Sequence, residues 1–314
     1  MSEVKNIVSR IEAEIAQTVK QEPEELRLLR TGQGADVGSY GQYFGTLDIG
    51  GGILRDYACY TLYGLVKMAR SGDLNATQMR RLFTEFDPGQ SGFLGYVGLR
   101  KLGNFAAELK DAFADASLEE IAIGIATLNR YANRLAAWAH HYFPWGLGQQ
   151  FQYPSTAPED KTYYDKRPDP NQPIGDKRLR LTWEPLGISV ILELATFKNP
   201  ELCQDVWDVA PFRVNQEHAC VSGKSMYAWT PAMSTAPVKW KEVIREAPFG
   251  RVRFSQGTGQ KLIVQYGPTT EDIATPVLGQ IAAQDLDKLP TVGSAVWEAM
   301  YRSKEVIWLK VERA

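Results

Sequence analysis

Residues 178–183 read RLRLTW, and residues 187–194 read GISVILEL. In the first run apolar and polar side chains alternate strictly, which is the period of a strand with one buried face. The second opens on a glycine and continues with β-branched and aliphatic residues, a composition suited to a strand. What precedes them follows a different period. Ile7, Ile11, Ile15 and Val19 recur at four-residue spacing, and Ile121, Ile125, Leu128, Leu135 and Trp138 form one apolar stripe. The change near residue 177 divides the chain into a helical part and a strand-rich part, and 314 residues are enough for two cores.

The helical part is expected to be a bundle over residues 1–148. Residues 3–30 read as one helix, Ile53–Ala69 and Ala76–Phe86 as two more. Ser117-Leu-Glu-Glu120 has the form of a capping box that opens a long helix to about Tyr142, and Phe143-Pro144 ends it. The run from Thr31 to Gly52 holds eight glycines. It lacks the spacing of a phosphate-binding loop and no apolar strand leads into it, so it reads as a surface loop with Tyr40 and Tyr43 packing on a neighbour. Asp87 to Gly98 imitates a calcium loop, but Gly89, Ser91 and Gly98 occupy three of the ligand positions, so a turn between helices is expected there.

Residues 149–177 form a proline- and tyrosine-rich linker or arm. From residue 178 to 314, further strands are expected near Val214–Cys220, Ser225–Trp229, Arg251–Phe254, Lys261–Tyr266 and Val306–Val311, with helices at Glu201–Val209 and Thr291–Met300. Many short strands with one or two helices suggest a small closed barrel, so the fold class is α+β.

The net charge of −2 leaves no electrostatic footprint for nucleic acid or for a membrane surface. Cys59, Cys203 and Cys220 are widely spaced, which fits reduced thiols and offers no zinc pattern. The N-terminus lacks an apolar signal core, and a cytoplasmic protein is expected. No cofactor and no metal are expected. The expected partner is a small-molecule substrate, and a homodimer is a base-rate expectation.

Candidate chemistry concentrates in Pro211–Pro231, PFRVNQEHACVSGKSMYAWTP. Arg213 can clamp a carboxylate, and His218 can move a proton near neutral pH. The turn holding Ser222 can receive an oxyanion, and Tyr227 and Trp229, two apart on a strand, can flank a flat ring. Each also has a structural reading: a hydrogen-bonded histidine, a surface ion pair, a core aromatic. A second cluster, His140, His141 and Trp145, ends the long helix and can line a binding pocket. Adjacent histidines diverge by about 100° on a helix and do not converge on one metal. Glu193, Asp48 and Glu217 are the candidate carboxylates, with Glu217 expected to point away from His218 by strand alternation.

The barrel part, through Asn199-Pro-Glu-Leu-Cys-Gln-Asp-Val-Trp207, His218-Ala-Cys-Val-Ser-Gly223 and Pro276-Val-Leu-Gly-Gln-Ile-Ala282, resembles cyclophilin-like families. The run Trp138-Ala-His-His-Tyr-Phe-Pro-Trp-Gly-Leu-Gly148 resembles the helical bundle associated with cucumopine synthase. The resemblance implies a bundle followed by a cyclophilin-like closed barrel and a Pictet–Spengler-type enzyme, which joins an amine to a carbonyl compound and closes a ring. Such chemistry requires a carboxylate clamp, an acid and a base. On this reading His218, Lys224 and Tyr227 are the catalytic candidates. Arg213, Ser222, Trp229, His140, His141 and Trp145 are the binding candidates. A lyase, decarboxylase or hydrolase of nitrogen heterocycles, and a metabolite-binding protein without turnover, are the alternatives.

Overall fold

The computed structural model describes residues 2–33, 47–142, 161–169 and 172–314. Tyr40, Tyr43, the side chain of Asp48, the Phe143-Pro144 stop, Trp145 and most of the arm lie outside the described residues. The chain divides into two compact units, one of Met1–His140 with Gly257–Gly259, the other of His141–Gln256 with Gln260–Ala314. The expected order is borne out: a helical bundle first, then a nearly closed antiparallel barrel.

In the helical unit, Ile7, Ile11 and Ile15 are buried on the helix Glu3–Thr18, as their spacing predicts. The expected single helix over 3–30 is interrupted. Pro23 takes the capping position of a separate helix, Glu24–Arg30, because proline fits a helix start but not its interior. The glycines at 50–52 are not loop either; they lie within the helix Leu47–Asp56. A π-helical turn, Tyr57–Leu62, links this helix to Tyr63–Arg70. The side-chain amide of Asn129 donates to the Ala58 carbonyl of that turn at 2.6 Å.

The expected turn at 87–98 is instead a helix, Pro88–Tyr96. Proline at the first position favours that start, and Asp87 accepts hydrogen bonds from Tyr57 and Ser91. Its glycines serve packing: a Cβ on Gly103 would lie 3.1 Å from the Cα of Gly95, so the next helix, Arg100–Ala112, approaches closely. The capping box is present, with Ser117 N–H donating to Glu120 at 3.0 Å and Glu120 N–H donating to Ser117 at 3.2 Å. It opens the helix Leu118–His141, whose predicted stripe from Ile121 to Trp138 is buried.

The barrel unit contains β1 (Arg178–Trp183), β2 (Ile188–Leu194), β3 (Phe212–Asn215), β4 (Glu217–His218), β5 (Ser225–Trp229), β6 (Lys241–Val243), β7 (Arg251–Ser255), β8 (Lys261–Gln265), β9 (Ala274–Ile281) and β10 (Trp308–Arg313). The ladder runs β3-β10-β1-β2-β9-β7-β8-β5-β4, with β6 pairing β9. Its two terminal strands, β3 and β4, are separated in sequence by Gln216 alone. The ring is thus completed by the covalent chain. Gln216 is fixed at that corner: its N–H donates to the Ile307 carbonyl at 2.8 Å, and its side chain accepts from the Trp183 indole at 3.0 Å.

Alternation then sorts side chains between two faces. Met226, Val264 and Val252 face each other in register across β5, β8 and β7 and belong to the apolar core, with Leu179, Leu181 and Trp183 of the opening strand. One position along, Glu217, Tyr227, Ile263 and Arg253 form a row on the other face across β4, β5, β8 and β7. This second row carries the polar chemistry of the barrel. Among the described residues, no helix is long and apolar enough to cross a membrane.

Candidate functional site

Glu217 and His218 are neighbours in β4, and both side chains are fully buried. As alternation predicts, they point to opposite faces, and each meets a different environment.

Glu217 points to the polar face. His141 Nδ1 lies 3.1 Å from each of its carboxylate oxygens, and the Asn215 amide donates to Oε1 at 2.7 Å. The second nitrogen of His141, Nε2, lies 3.1 Å from the Lys304 carbonyl. Both ring nitrogens therefore face acceptors, which only the doubly protonated imidazolium satisfies. The electrostatics agree in direction. Burial works against the charge on His141, but the Glu217 charge, its hydrogen bond and the Lys304 carbonyl together raise the pKa above the usual histidine value. The pair is a buried carboxylate–imidazolium dyad.

Lys304 completes the surround. Its backbone is left-handed, φ 60°, where it ends the π-helical turn Ala299–Ser303. Its ammonium donates to the carbonyls of His141, at 3.3 Å, and Met300. Burial lowers its pKa, with Glu217 and Cys220 pulling the other way. Across the ladder from Glu217 stands Tyr227. Burial, then Cys220, Tyr301 and Glu217, hold its phenol well above the usual range, so it keeps its proton at neutral pH. Tyr227, Cys220 and Lys304 are half-buried and form the partly solvent-facing side of this group.

His218 points the other way, into the core. Its Nδ1–H donates to the Ala219 carbonyl at 2.8 Å, which leaves Nε2 to accept from the Tyr266 hydroxyl at 2.7 Å. Burial pushes its pKa down to about 4. It is a neutral imidazole at pH 7, packed edge-on against Tyr266 and Tyr301 with ring centroids 5.7 Å and 6.0 Å away.

The remaining sequence candidates are dispersed. Arg213, on β3, donates to Glu184 at 2.6 Å and lies over the Trp308 ring at 3.9 Å. Lys224 donates to the Tyr164 hydroxyl at 3.2 Å. Ser222 is half-buried in the connection from β4 to β5. Tyr227 and Trp229 do share a face, but they pack edge-to-face on each other at 5.4 Å, with Lys261 over both rings at 4.7 Å and 4.8 Å. His140 is half-buried and groups with the helical unit. Of the named residues, the structure gathers His141 and Tyr227 around Glu217.

Lys304, Asn215, Tyr301, Tyr266 and Arg253 are not singled out by the sequence reading. Arg253 carries the clearest signal, since Arg251-Val-Arg253-Phe alternates as RLRL does and sets two arginines on one face. Lys304 carries none, because its place follows from a left-handed turn that no motif marks.

The chain thus places a helical bundle ahead of a nearly closed barrel that bears a buried acid–histidine pair. Residues 4–142 match the cucumopine synthase C-terminal helical bundle domain, which here stands ahead of the barrel. No curated protein matches the chain. Among solved structures, it is similar to McbB in complex with tryptophan, at 33% identity over 43% of this chain, with a TM-score of 0.41. The match spans 44% of the length of the McbB chain. It is also similar to the solution structure of the hypothetical protein AF2241 from Archaeoglobus fulgidus, at 18% identity over 46% of this chain and 98% of that one, with a TM-score of 0.33.

Proposed function

We propose that the protein is an enzyme that condenses an amino acid with a 2-oxo acid by Pictet–Spengler-type chemistry, without a resident cofactor. The observation that carries this reading is Glu217, a carboxylate held at two oxygens by His141 and at one by Asn215 on the polar face of the barrel. The cucumopine synthase-type bundle at residues 4–142 supports the same class of reaction.

The reaction sets the requirements. The amine adds to the carbonyl and one water leaves, giving an iminium ion. An electron-rich ring carbon of the amino acid attacks that carbon, forming the new C–C bond. The ring proton at the attacking position must then go to a base. No electron is exchanged with an outside acceptor, so side chains suffice. Glu217 is assigned the ring proton. His141 orients the carboxylate. Tyr227, protonated at neutral pH and directly across the ladder, is assigned the hydrogen bond to the departing water. His218, neutral and locked to Tyr266 in the core, is a positioning residue for the β4 backbone rather than an acid.

The test is direct. The protein is incubated with histidine or tryptophan together with 2-oxoglutarate or pyruvate, and product mass is followed. The expected product has the summed mass of the pair less one water, with a new ring. Absence of such a product for every pair removes the condensation.

A further inference from the structure

One short element of the barrel unit touches both sides of the buried dyad. The π-helical turn Ala299–Ser303 ends on Lys304, whose N–H donates to the Ala299 carbonyl, five residues back, at 2.7 Å. From this turn Met300 Sδ accepts the His218 N–H at 3.3 Å, and the Tyr301 hydroxyl donates to the Ala219 carbonyl at 3.1 Å. The strand that carries Glu217, β4, is terminal in the ladder and two residues long, so these bonds steady a strand with one strand neighbour. On the histidine side Lys304 makes a reciprocal clamp. Its carbonyl receives His141 Nε2 at 3.1 Å, while its ammonium donates to the carbonyls of His141, at 3.3 Å, and Met300.

The backbone aims that carbonyl. Lys304 sits at φ 60° and ψ 18°, in the left-handed region. Residues other than glycine, asparagine and aspartate seldom take this conformation, and strain of this kind persists where the surround requires it. A right-handed residue would continue the helix and send its carbonyl along the helix axis instead of toward the ring. The two ends of Lys304 pull on His141 in opposite directions: the carbonyl raises its pKa and the ammonium charge lowers it. Among the described residues, the charges that act on His141 are those of Glu217 and Lys304, and the Tyr142 ring packs edge-on at 4.9 Å.

We propose that Lys304 is a positioning residue for the dyad. Its left-handed backbone, more than its ammonium, supplies the second acceptor that keeps both nitrogens of His141 protonated beside Glu217. Where Glu217 acts as a base, this rests on the condensation reading and deepens it. The effect on His141 itself stands apart from that reading.

The experiment compares Lys304→Gly with Lys304→Val in the full chain. Both remove the ammonium. Glycine holds a φ of 60° without steric cost, and a β-branched residue does not. The readouts are the ring-nitrogen NMR resonances of His141 followed against pH, assigned by their loss in His141→Gln, and product formation. His141 is expected to titrate no lower in Lys304→Gly than in the parent. In Lys304→Val it is expected to titrate about one pH unit below Lys304→Gly, the size of one hydrogen bond. Turnover by Lys304→Val is expected about tenfold below that of Lys304→Gly. A turn with a structural role alone would lower the Tm of Lys304→Val and leave His141 titrating alike in the two variants. If Lys304→Val does not fold, Lys304→Ala takes its place, with a smaller shift in the same direction. The proposal is overturned if the glycine variant and its folded counterpart titrate His141 alike, or if Lys304→Gly itself titrates below the parent. If no substrate pair gives product, the condensation reading fails, and the ring titration still decides the role of Lys304.

Discussion

His141 Nδ1 sits 3.1 Å from both oxygens of Glu217, and neither side chain is more than 1% exposed. A pair this deeply buried is costly to break from one side, because the remaining partner stays in a low-dielectric setting without a counter-charge. His141→Ala should therefore destabilise the protein by about 3–5 kcal/mol. Glu217→Gln keeps the shape and a hydrogen-bond acceptor but takes the counter-charge from His141, so it too should lose stability. In the condensation assay it should lower turnover by about 100-fold or more, the usual contribution of a proton-transfer group. Denaturant unfolding of both variants beside product formation by Glu217→Gln separates the two effects. Full turnover by Glu217→Gln would remove it as the base.

The two buried histidines should give stability a maximum near pH 6.5. His218 has its folded pKa pushed down to about 4, below the unfolded value of about 6.5. Between those values the unfolded chain binds a proton that the native state does not, so stability rises with pH. His141 has a folded pKa raised above about 6.5, so its contribution is complete below that pH and is lost as pH climbs through the folded value. Tm measured from pH 4 to 9 should show both limbs. His141→Gln should flatten the alkaline limb, and His218→Asn the acid one. A His141→Gln profile with an unchanged alkaline limb would show that this histidine is not charged in the fold.

Gly293 on the helix Leu289–Glu298 is where that helix meets the Tyr266 ring; an added Cβ would lie 2.4 Å from it. Tyr266 in turn donates to His218. Gly293→Ala should thus cost about 1–3 kcal/mol, the range for overpacking a core, despite the better helix propensity of alanine. It should also shift the ring resonances of His218, because its hydroxyl partner must move. Equal stability with an unmoved His218 signal would show that the ring has room to yield.

Periodicity makes most of this architecture legible. The four-residue spacing of Ile7, Ile11 and Ile15 and the alternation of RLRLTW each reflect one buried face, and burial follows both. The breaks come where a local rule meets tertiary packing. Asp87–Gly98 is rich in turn-forming residues, yet it is helical because Gly95 and Gly103 let two helices touch. The candidate site is legible in part. Alternation correctly separates Glu217 from His218, but nothing local distinguishes a solvated glutamate from one that meets a histidine 76 residues away.

The closure of the barrel at Gln216 is the last relationship open to test. The residue sits between the two terminal strands, is 2% exposed, and its side chain accepts the Trp183 indole N–H. Gln216→Ala keeps the backbone bond to Ile307 but leaves the buried indole N–H unsatisfied, a cost of about 1–3 kcal/mol. The damage should be local to the seam. Amide exchange in Phe212–Asn215 and Glu217–His218 should accelerate, while Ile188–Leu194, well inside the ladder, keeps its protection. Glu217 is carried by this seam, so turnover should fall along with the loss of protection. Uniform acceleration of exchange across all the strands would show that Gln216 contributes to the barrel as a whole and not to its closure.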